Sequence, residues 1–264
     1  MNTFFLPRRA LGKTNIMLSA AGLGTVKFGR NQAMKYPNPY ELPDDKTISN
    51  LLSLAWEMGI NWLDTAPAYG SSESRLGQLL PPKDWIISSK VGEQFIQGKS
   101  YFNFTKKETQ ISLEKSLQRL KRDYLDLVFI HSNGDDERIL LHSDVLETLQ
   151  QAKAKGLIRA IGFSGKTLNG AQIALQYCDA LMISYSLTDT DLAPAIKQAA
   201  QCDVGVVIKK GFGSGHLFAQ YSVTDLSDFL FQQPITAVIT GTLSAQHLRE
   251  NCHALTLAAN RYPL

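Results

Sequence analysis

A closed (β/α)8 barrel is the fold this sequence predicts, and three observations predict it. Short runs rich in Val, Ile and Phe alternate strictly with longer segments of helical period, which argues for a parallel sheet. Eight such pairs fall within about 240 residues, which suits a closed barrel better than an open doubly wound sheet. No G-x-G-x-x-G follows the first run, as an open dinucleotide-binding sheet would require.

The elements follow in order. Leu11-Gly12-Lys13-Thr14 is a turn signal between two short runs within residues 8–19 and reads as a hairpin closing the bottom of the barrel. The first strand covers 20–24. A long loop follows at 31–43, with Pro37, Pro39 and Pro43, and long loops in compact domains are often functional. The first helix, 44–58, opens with acids and carries Ile48, Leu51, Leu52 and Ala55 on one face. Strand 61–64 precedes helix 72–80. Strand 85–89 precedes helix 107–121, where Ile111, Leu113, Leu117 and Leu120 have core spacing. Strand 127–131 precedes helix 143–155, which Gly156 stops. Strands 160–163, 180–184, 204–209 and 237–241 then alternate with helices 168–177, 192–201, 222–231 and 244–259. With no linker, fixed-period repeat or low-complexity stretch, residues 1–264 read as one barrel domain.

Composition narrows the function. The chain has 44% hydrophobic and 19% charged residues, the balance of a globular protein. A net charge of +3 without a basic run argues against nucleic acid as a partner. No apolar stretch is long enough to cross a membrane, and no apolar region follows Arg8 and Arg9 as in a signal peptide, so the cytoplasm is expected. Cys178, Cys202 and Cys252 are scattered and odd in number, which gives neither a disulfide framework nor a metal site. The expected assembly is a monomer or a weak homo-oligomer.

Active sites in this architecture gather at the C-terminal ends of the strands. Strand two ends at Asp64, with Tyr69 five residues on; strand three ends at Lys90; strand four ends at His131. Strand five ends at Ser164 and strand seven at Lys209 and Lys210. A carboxylate, an ammonium, a phenol and an imidazole would therefore share one cavity. The ammonium would favour the phenolate and lower the phenol's pKa by roughly one to three units. The carboxylate would hold the ammonium charged, and a neutral imidazole would orient a carbonyl oxygen. Such a set is a general acid aimed at a developing alkoxide, which carbonyl reduction by hydride needs. Each residue also has an ordinary reading. Asp64 is a common turn residue, Lys90 a surface lysine, and His131 a core histidine. Phe28, Phe95, Tyr101 and Phe102 are pocket candidates that are as well explained by packing, and Glu73 and His216 read as exposed loop residues without a role.

Several segments carry a resemblance. They are Gly22-Leu23-Gly24-Thr25, Leu63-Asp64-Thr65-Ala66-Pro67-Ala68-Tyr69-Gly70, Ser88-Ser89-Lys90-Val91-Gly92, Ser116-Leu117-Gln118-Arg119-Leu120, Tyr124-Leu125-Asp126-Leu127, Ile130-His131, the run from Gly156 to Ser164, and Ile239-Thr240-Gly241-Thr242. In this order and spacing the chain resembles the aldo-keto reductase family over nearly its whole length. The resemblance puts that family's catalytic tetrad on Asp64, Tyr69, Lys90 and His131. It implies a nicotinamide cofactor, NADPH by family habit with NADH open, and a small carbonyl or alcohol substrate. It places the pyrophosphate near Lys209, Lys210, Gly211, Gly213, Gly215, His216 and Leu217, and the adenosine near Gly241, Thr242, Ser244, His247, Glu250 and Asn251. Gly24, Thr25 and Ser164 complete the implied cofactor set, with Tyr185 stacking on the nicotinamide ring.

The chain also departs from the family. Gly165 stands where an asparagine usually follows Ser164, and Met182 where a glutamine usually stands, so two amide contacts to the nicotinamide are missing. Leu243 and His247 replace the usual basic residue for the 2′-phosphate. Short late loops predict an open, unselective pocket. Two other functions stay in view: a Schiff-base aldolase using Lys90, Lys209 or Lys210, and a nucleotide-binding regulatory barrel resembling in part the potassium-channel β subunits of this family.

Overall fold

The computed structural model describes residues 6–264. Eight parallel strands close on themselves in the order β3 (Ala21–Gly24), β4 (Trp62–Asp64), β5 (Ile86–Val91), β8 (Leu125–His131), β9 (Ile158–Ser164), β10 (Ala180–Ser184), β11 (Gly205–Lys209) and β12 (Ala237–Thr240), which pairs back onto β3. Every strand expected from the sequence is present. The helices around them are α1 (Asp45–Glu57), α2 (Ser72–Leu79), α3 (Lys106–Leu120), α4 (Asp136–Leu141), α5 (Val145–Ala154), α6 (Leu168–Ala174), α7 (Ala193–Gln201), α8 (Val223–Phe231) and α9 (Ala245–Arg261). Side-chain caps start several of them: Asp44 accepts from the Thr47 amide, Thr167 from Gly170 and Ser244 from His247.

Two apolar layers follow from the strand period of two. Leu181, Ile183 and Tyr185 point outward with the helices, whereas Ala180 and Met182 point into the barrel with Trp62, Leu127, Phe129 and Val207. The expected hairpin, β1 (Arg8–Ala10) and β2 (Met17–Ser19), sends Leu11, Ile16 and Leu18 into that inner layer as a bottom plug. Its turn needs glycine. Gly12 has φ +54°, and a Cβ there would lie 2.2 Å from the Asp203 carbonyl oxygen. Buried Arg9 ties the hairpin to the end of the chain, donating to Ile235 O at 2.8 Å and Ala259 O at 2.7 Å.

Two elements were not expected. One is α4. The other is an antiparallel hairpin, β6 (Glu93–Ile96) and β7 (Lys99–Phe102), which begins three residues after Lys90 and stands at the barrel mouth. Its two-residue turn, Gln97-Gly98, has φ of +49° and +82°, the left-handed pair that suits strand twist. Among the described residues no helix is long and apolar enough to cross a membrane.

Candidate active site

The strand register builds the centre of the site. Asp64 on β4 pairs with Ser88 on β5, and Lys90 lies two residues on, on the same inward face. Lys90 Nζ donates to Asp64 Oδ2 at 2.6 Å and to the Thr65 carbonyl at 2.9 Å. Ser88 Oγ donates to the other carboxylate oxygen at 2.8 Å, and Trp62 Nε1 steadies Ser88 at 3.0 Å. Both groups are almost wholly removed from water, with 2% and 3% of the side chains exposed, so each depends on the other and on its hydrogen-bond partners to offset lost hydration.

Tyr69 ends a one-turn 3-10 helix, Pro67–Tyr69, that carries its ring over Lys90, with Nζ 4.8 Å from the ring centroid. The turn is held by Gly70 at φ +62°, where a Cβ would lie 2.1 Å from the Gly29 carbonyl oxygen. Burial raises the Tyr69 pKa; Lys90 pulls it down and Asp64 pushes it up, and the balance stays above the ordinary value. This corrects the expected net lowering. Lys90 has much of its charge offset by Asp64, so its pull is smaller than the cost of a buried phenolate. Burial alone would lower the Lys90 ammonium, but Asp64 and then Tyr69 outweigh it and raise its pKa.

His131, at the end of β8, lies against the unexpected hairpin. Its Nδ1 is 2.7 Å from Glu93 Oε2, off the axis of the ring N–H rather than in a linear hydrogen bond. Burial lowers the His131 pKa, Glu93 raises it, and Lys90 and Lys209 lower it again; the net direction is down, toward neutral imidazole. Burial would raise the Glu93 carboxyl, but His131, Ser100 and Arg30 outweigh that and hold it at about 2. Arg30 stacks on Phe95, 3.4 Å from the ring centroid, and donates to the Ala68 carbonyl at 3.1 Å, tying the hairpin to the Tyr69 turn.

Arg30, Asp64, Tyr69, Lys90, Glu93 and His131 line one cavity of about 860 Å³. Of the residues that the family resemblance implies for the cofactor, Gly24, Lys209, Lys210, Gly211, Gly215, Gly241, Thr242, His247, Glu250 and Asn251 line it. The others have different places. Tyr185 is a correction: it points outward and stacks on Phe229 at 5.2 Å, because alternation along β10 turns Met182 inward instead. Thr25 is buried, donating to Asp64 O at 2.9 Å and accepting from Ser72, and Ser244 caps α9. Ser164 stands behind the lining, its Oγ accepting from Lys209 Nζ at 2.8 Å. Gly213 shapes its loop, Leu217 is buried under it, and His216 donates to the Lys35 carbonyl at 3.0 Å. Phe28 is core, Phe95 carries Arg30, Tyr101 is exposed and Phe102 stacks on Phe104. Glu73 is not an exposed loop residue. It is buried, accepting from Ser89 at 2.6 Å and from Arg119 at 2.9 Å. Cys178 and Cys252 are buried, with pKa pushed up to about 12.

Sequence reasoning missed Lys27, Arg30, Tyr36, Glu93 and Lys166, all in the lining. They lie in the connections that follow barrel strands, Glu93 at the start of the β6–β7 hairpin, where the barrel's own strand period does not mark them. The 31–43 loop arches across with Tyr36 and Tyr40 against Lys27, at 4.1 and 5.2 Å from the ring centroids.

A dinucleotide suits this cavity on its donor set. Lys27, Lys35 and Lys210 form a cationic rim, and the 210–215 loop offers a concave backbone. Lys210, Gly213, Ser214 and Gly215 all have positive φ, from +57° to +95° where glycine, a turn form that aims amides at an anion.

The "Aldo/keto reductase family" model matches residues 21–227. A solved Pseudomonas aeruginosa structure, described as an aldo-keto reductase, is 42% identical, covers 95% of this chain and 94% of its own, and superposes with a TM-score of 0.87. The L-galactose dehydrogenase of Arabidopsis thaliana is 28% identical over 80% of this chain and 67% of its own length. The NADH-specific methylglyoxal reductase of Escherichia coli is 29% identical over 75% of this chain and 64% of its own. On both the family model and the 42% identity, the chain belongs to the aldo-keto reductase family, a family of oxidoreductases with nicotinamide cofactors.

Proposed function

We propose that this chain reduces aldehyde or ketone carbonyls to alcohols, or runs the reverse, with NADPH or NADH. One observation carries the reading: the buried Lys90–Asp64 pair beneath Tyr69, at the floor of a cavity large enough for a dinucleotide and a small substrate. The relatives' names support both directions, and one of them keeps NADH in play.

When bound, the nicotinamide supplies the hydride. The protein's own groups do the rest. Tyr69 is protonated at neutral pH and donates its hydroxyl proton to the carbonyl oxygen as negative charge grows there. Lys90 stabilises the phenolate left behind, and Asp64 keeps Lys90 charged and aimed. His131 orients the carbonyl. Lys27, Lys35, Lys210 and the amides of residues 211–215 would hold the pyrophosphate, and Thr242, His247, Glu250 and Asn251 the adenosine end. Without an arginine fork at the 2′-phosphate, preference for NADPH over NADH should be modest.

The test is a panel of small aldehydes and ketones with each cofactor, followed by the reduced cofactor's absorbance. Saturable turnover that Tyr69→Phe abolishes is expected. No turnover with any carbonyl, together with no saturable binding of either dinucleotide, would overturn the reading. The aldolase alternative draws on one observation, a Lys209 ammonium lowered to about 7. Borohydride trapping of a carbonyl compound on Lys209 would favour it; Lys90, engaged by two acceptors, is a poor nucleophile.

A further inference from the structure

Lys209 stands on the cavity floor without a carboxylate of its own. Among the described residues it donates to the neutral Ser164 hydroxyl, at 2.8 Å, and joins no ion pair. The charges that face it are mostly of its own sign. Lys210 comes from the same strand end, Lys90 from β5 and Lys166 from the loop after β9. Asp64 on β4 is the one opposing charge, and it is already taken by Lys90 at 2.6 Å. His131 on β8 feels Lys209 as a repulsive neighbour. The flanking strands bring only Met182 from β10 and Ile239 and Thr240 from β12 into the lining.

Its position matters because β11 stands opposite β5 in the eight-strand order, so Lys209 faces the Lys90 side across the floor. A carbonyl that takes a proton from Tyr69 lies on that side. Reacting atoms approach to about 3–3.5 Å, so a ring delivering hydride to that carbonyl would occupy the part of the cavity that Tyr69 and His131 share with Met182 and Lys209. An oxidised nicotinamide ring is a cation and a reduced one is neutral.

We propose that Lys209 discriminates between the redox states of the bound nicotinamide, its ammonium repelling the cationic oxidised ring while tolerating the neutral reduced one. The inference rests on the nicotinamide reading above. The site then holds reduced dinucleotide more tightly than oxidised, which favours carbonyl reduction. Burial, followed by Lys210, Lys90 and Lys166, brings the Lys209 pKa down to about 7. The discrimination is therefore strongest below that pH, where the amine is charged, and fades above it. The pyrophosphate and any 2′-phosphate are common to both redox forms, so their own titration cancels in the ratio of the two dissociation constants.

Calorimetric titration with NADPH, NADP+, NADH and NAD+ at about pH 6 and about pH 8.5 reads that ratio directly. The wild type should bind the oxidised form about tenfold more weakly, relative to the reduced form, at the lower pH than at the higher. Lys209→Met should remove that preference and its pH dependence; Lys209→Arg, charged at both pH values, should keep the preference and lose the pH dependence. A wild-type ratio that is flat with pH overturns the proposal, and so does a Lys209→Met ratio equal to the wild type's. Those outcomes leave the cofactor reading intact. Failure of all four dinucleotides to bind removes the cofactor reading, and the proposal with it.

Discussion

The two sides of the cavity floor are built differently. On β4, β5 and β8 the polar groups are paired: Lys90 with Asp64 at 2.6 Å, Asp64 with Ser88 at 2.8 Å, His131 beside Glu93 at 2.7 Å. On β9, β10 and β11 they are sparse: a hydroxyl at Ser164, a thioether at Met182, and Lys209 among like charges. On the first side each charge has an opposing neighbour before any ligand arrives, although His131 Nδ1 lacks a linear hydrogen bond. The second carries a charge that, among the described residues, joins no ion pair, so its energetics depend on what binds. Gly165 shows that this second side is not a simple loss of amides. A Cβ there would lie 2.4 Å from Phe163 Cε1 and 3.0 Å from Asp136 Oδ2. Asp136 in turn accepts from the Lys166 and Thr167 amides, each at 2.8 Å, so the whole loop is drawn in where a longer side chain would stand.

That contrast can be broken from either side. The largest effect is expected from Tyr69→Phe, which removes the proposed proton donor and should lower kcat by roughly two to four powers of ten, while dinucleotide affinity measured by calorimetry stays near wild type. Lys90→Met should strand the Asp64 carboxylate away from water and destabilise the fold by about 3–5 kcal/mol in a urea titration. Adding Asp64→Asn to it should recover part of that loss; a double variant no more stable than the single one would mean the pair is not energetically coupled. Across the floor, Gly165→Asn should lower stability by about 1–3 kcal/mol through overpacking and should not tighten cofactor binding. A stable Gly165→Asn protein with tighter binding would show that the loop can open.

The remaining effects are read as pH dependence, and they have opposite signs on the two sides. Glu93 is held at about 2, below the ordinary 4.5. Its native interactions therefore add stability above about pH 4.5, and that contribution is lost as pH falls toward 2. Glu93→Gln should flatten this part of an acid-unfolding curve. Lys209 is lowered to about 7 from 10.5, so the unfolded chain binds more protons between those values. Its penalty is full below about 7 and is relieved as pH climbs toward 10.5, so Lys209→Met should raise Tm more at neutral pH than at alkaline pH.

Much of this was legible before the fold was known. The alternation of apolar runs and helical segments marks all eight strands, and strand ends select Asp64, Lys90 and His131. The outward turn of Tyr185 was readable too, since it is three residues from Met182 and so on the other face of β10. Other features had weaker marks. Gln97-Gly98 is an unusual hairpin turn, and nothing local ties Glu93 to His131. Lys27, Arg30 and Tyr36 sit on loops whose paths depend on what they cover.

The barrel and the residues at its strand ends follow from local periodicity and chain order, and so can be read along the chain. Which of those residues are paired, which way the Tyr69 proton equilibrium leans and why Lys209 is left among cations depend on the assembled fold. Those properties are sums over charges and buried surface contributed by strands distant in sequence, and no window of neighbouring residues contains them.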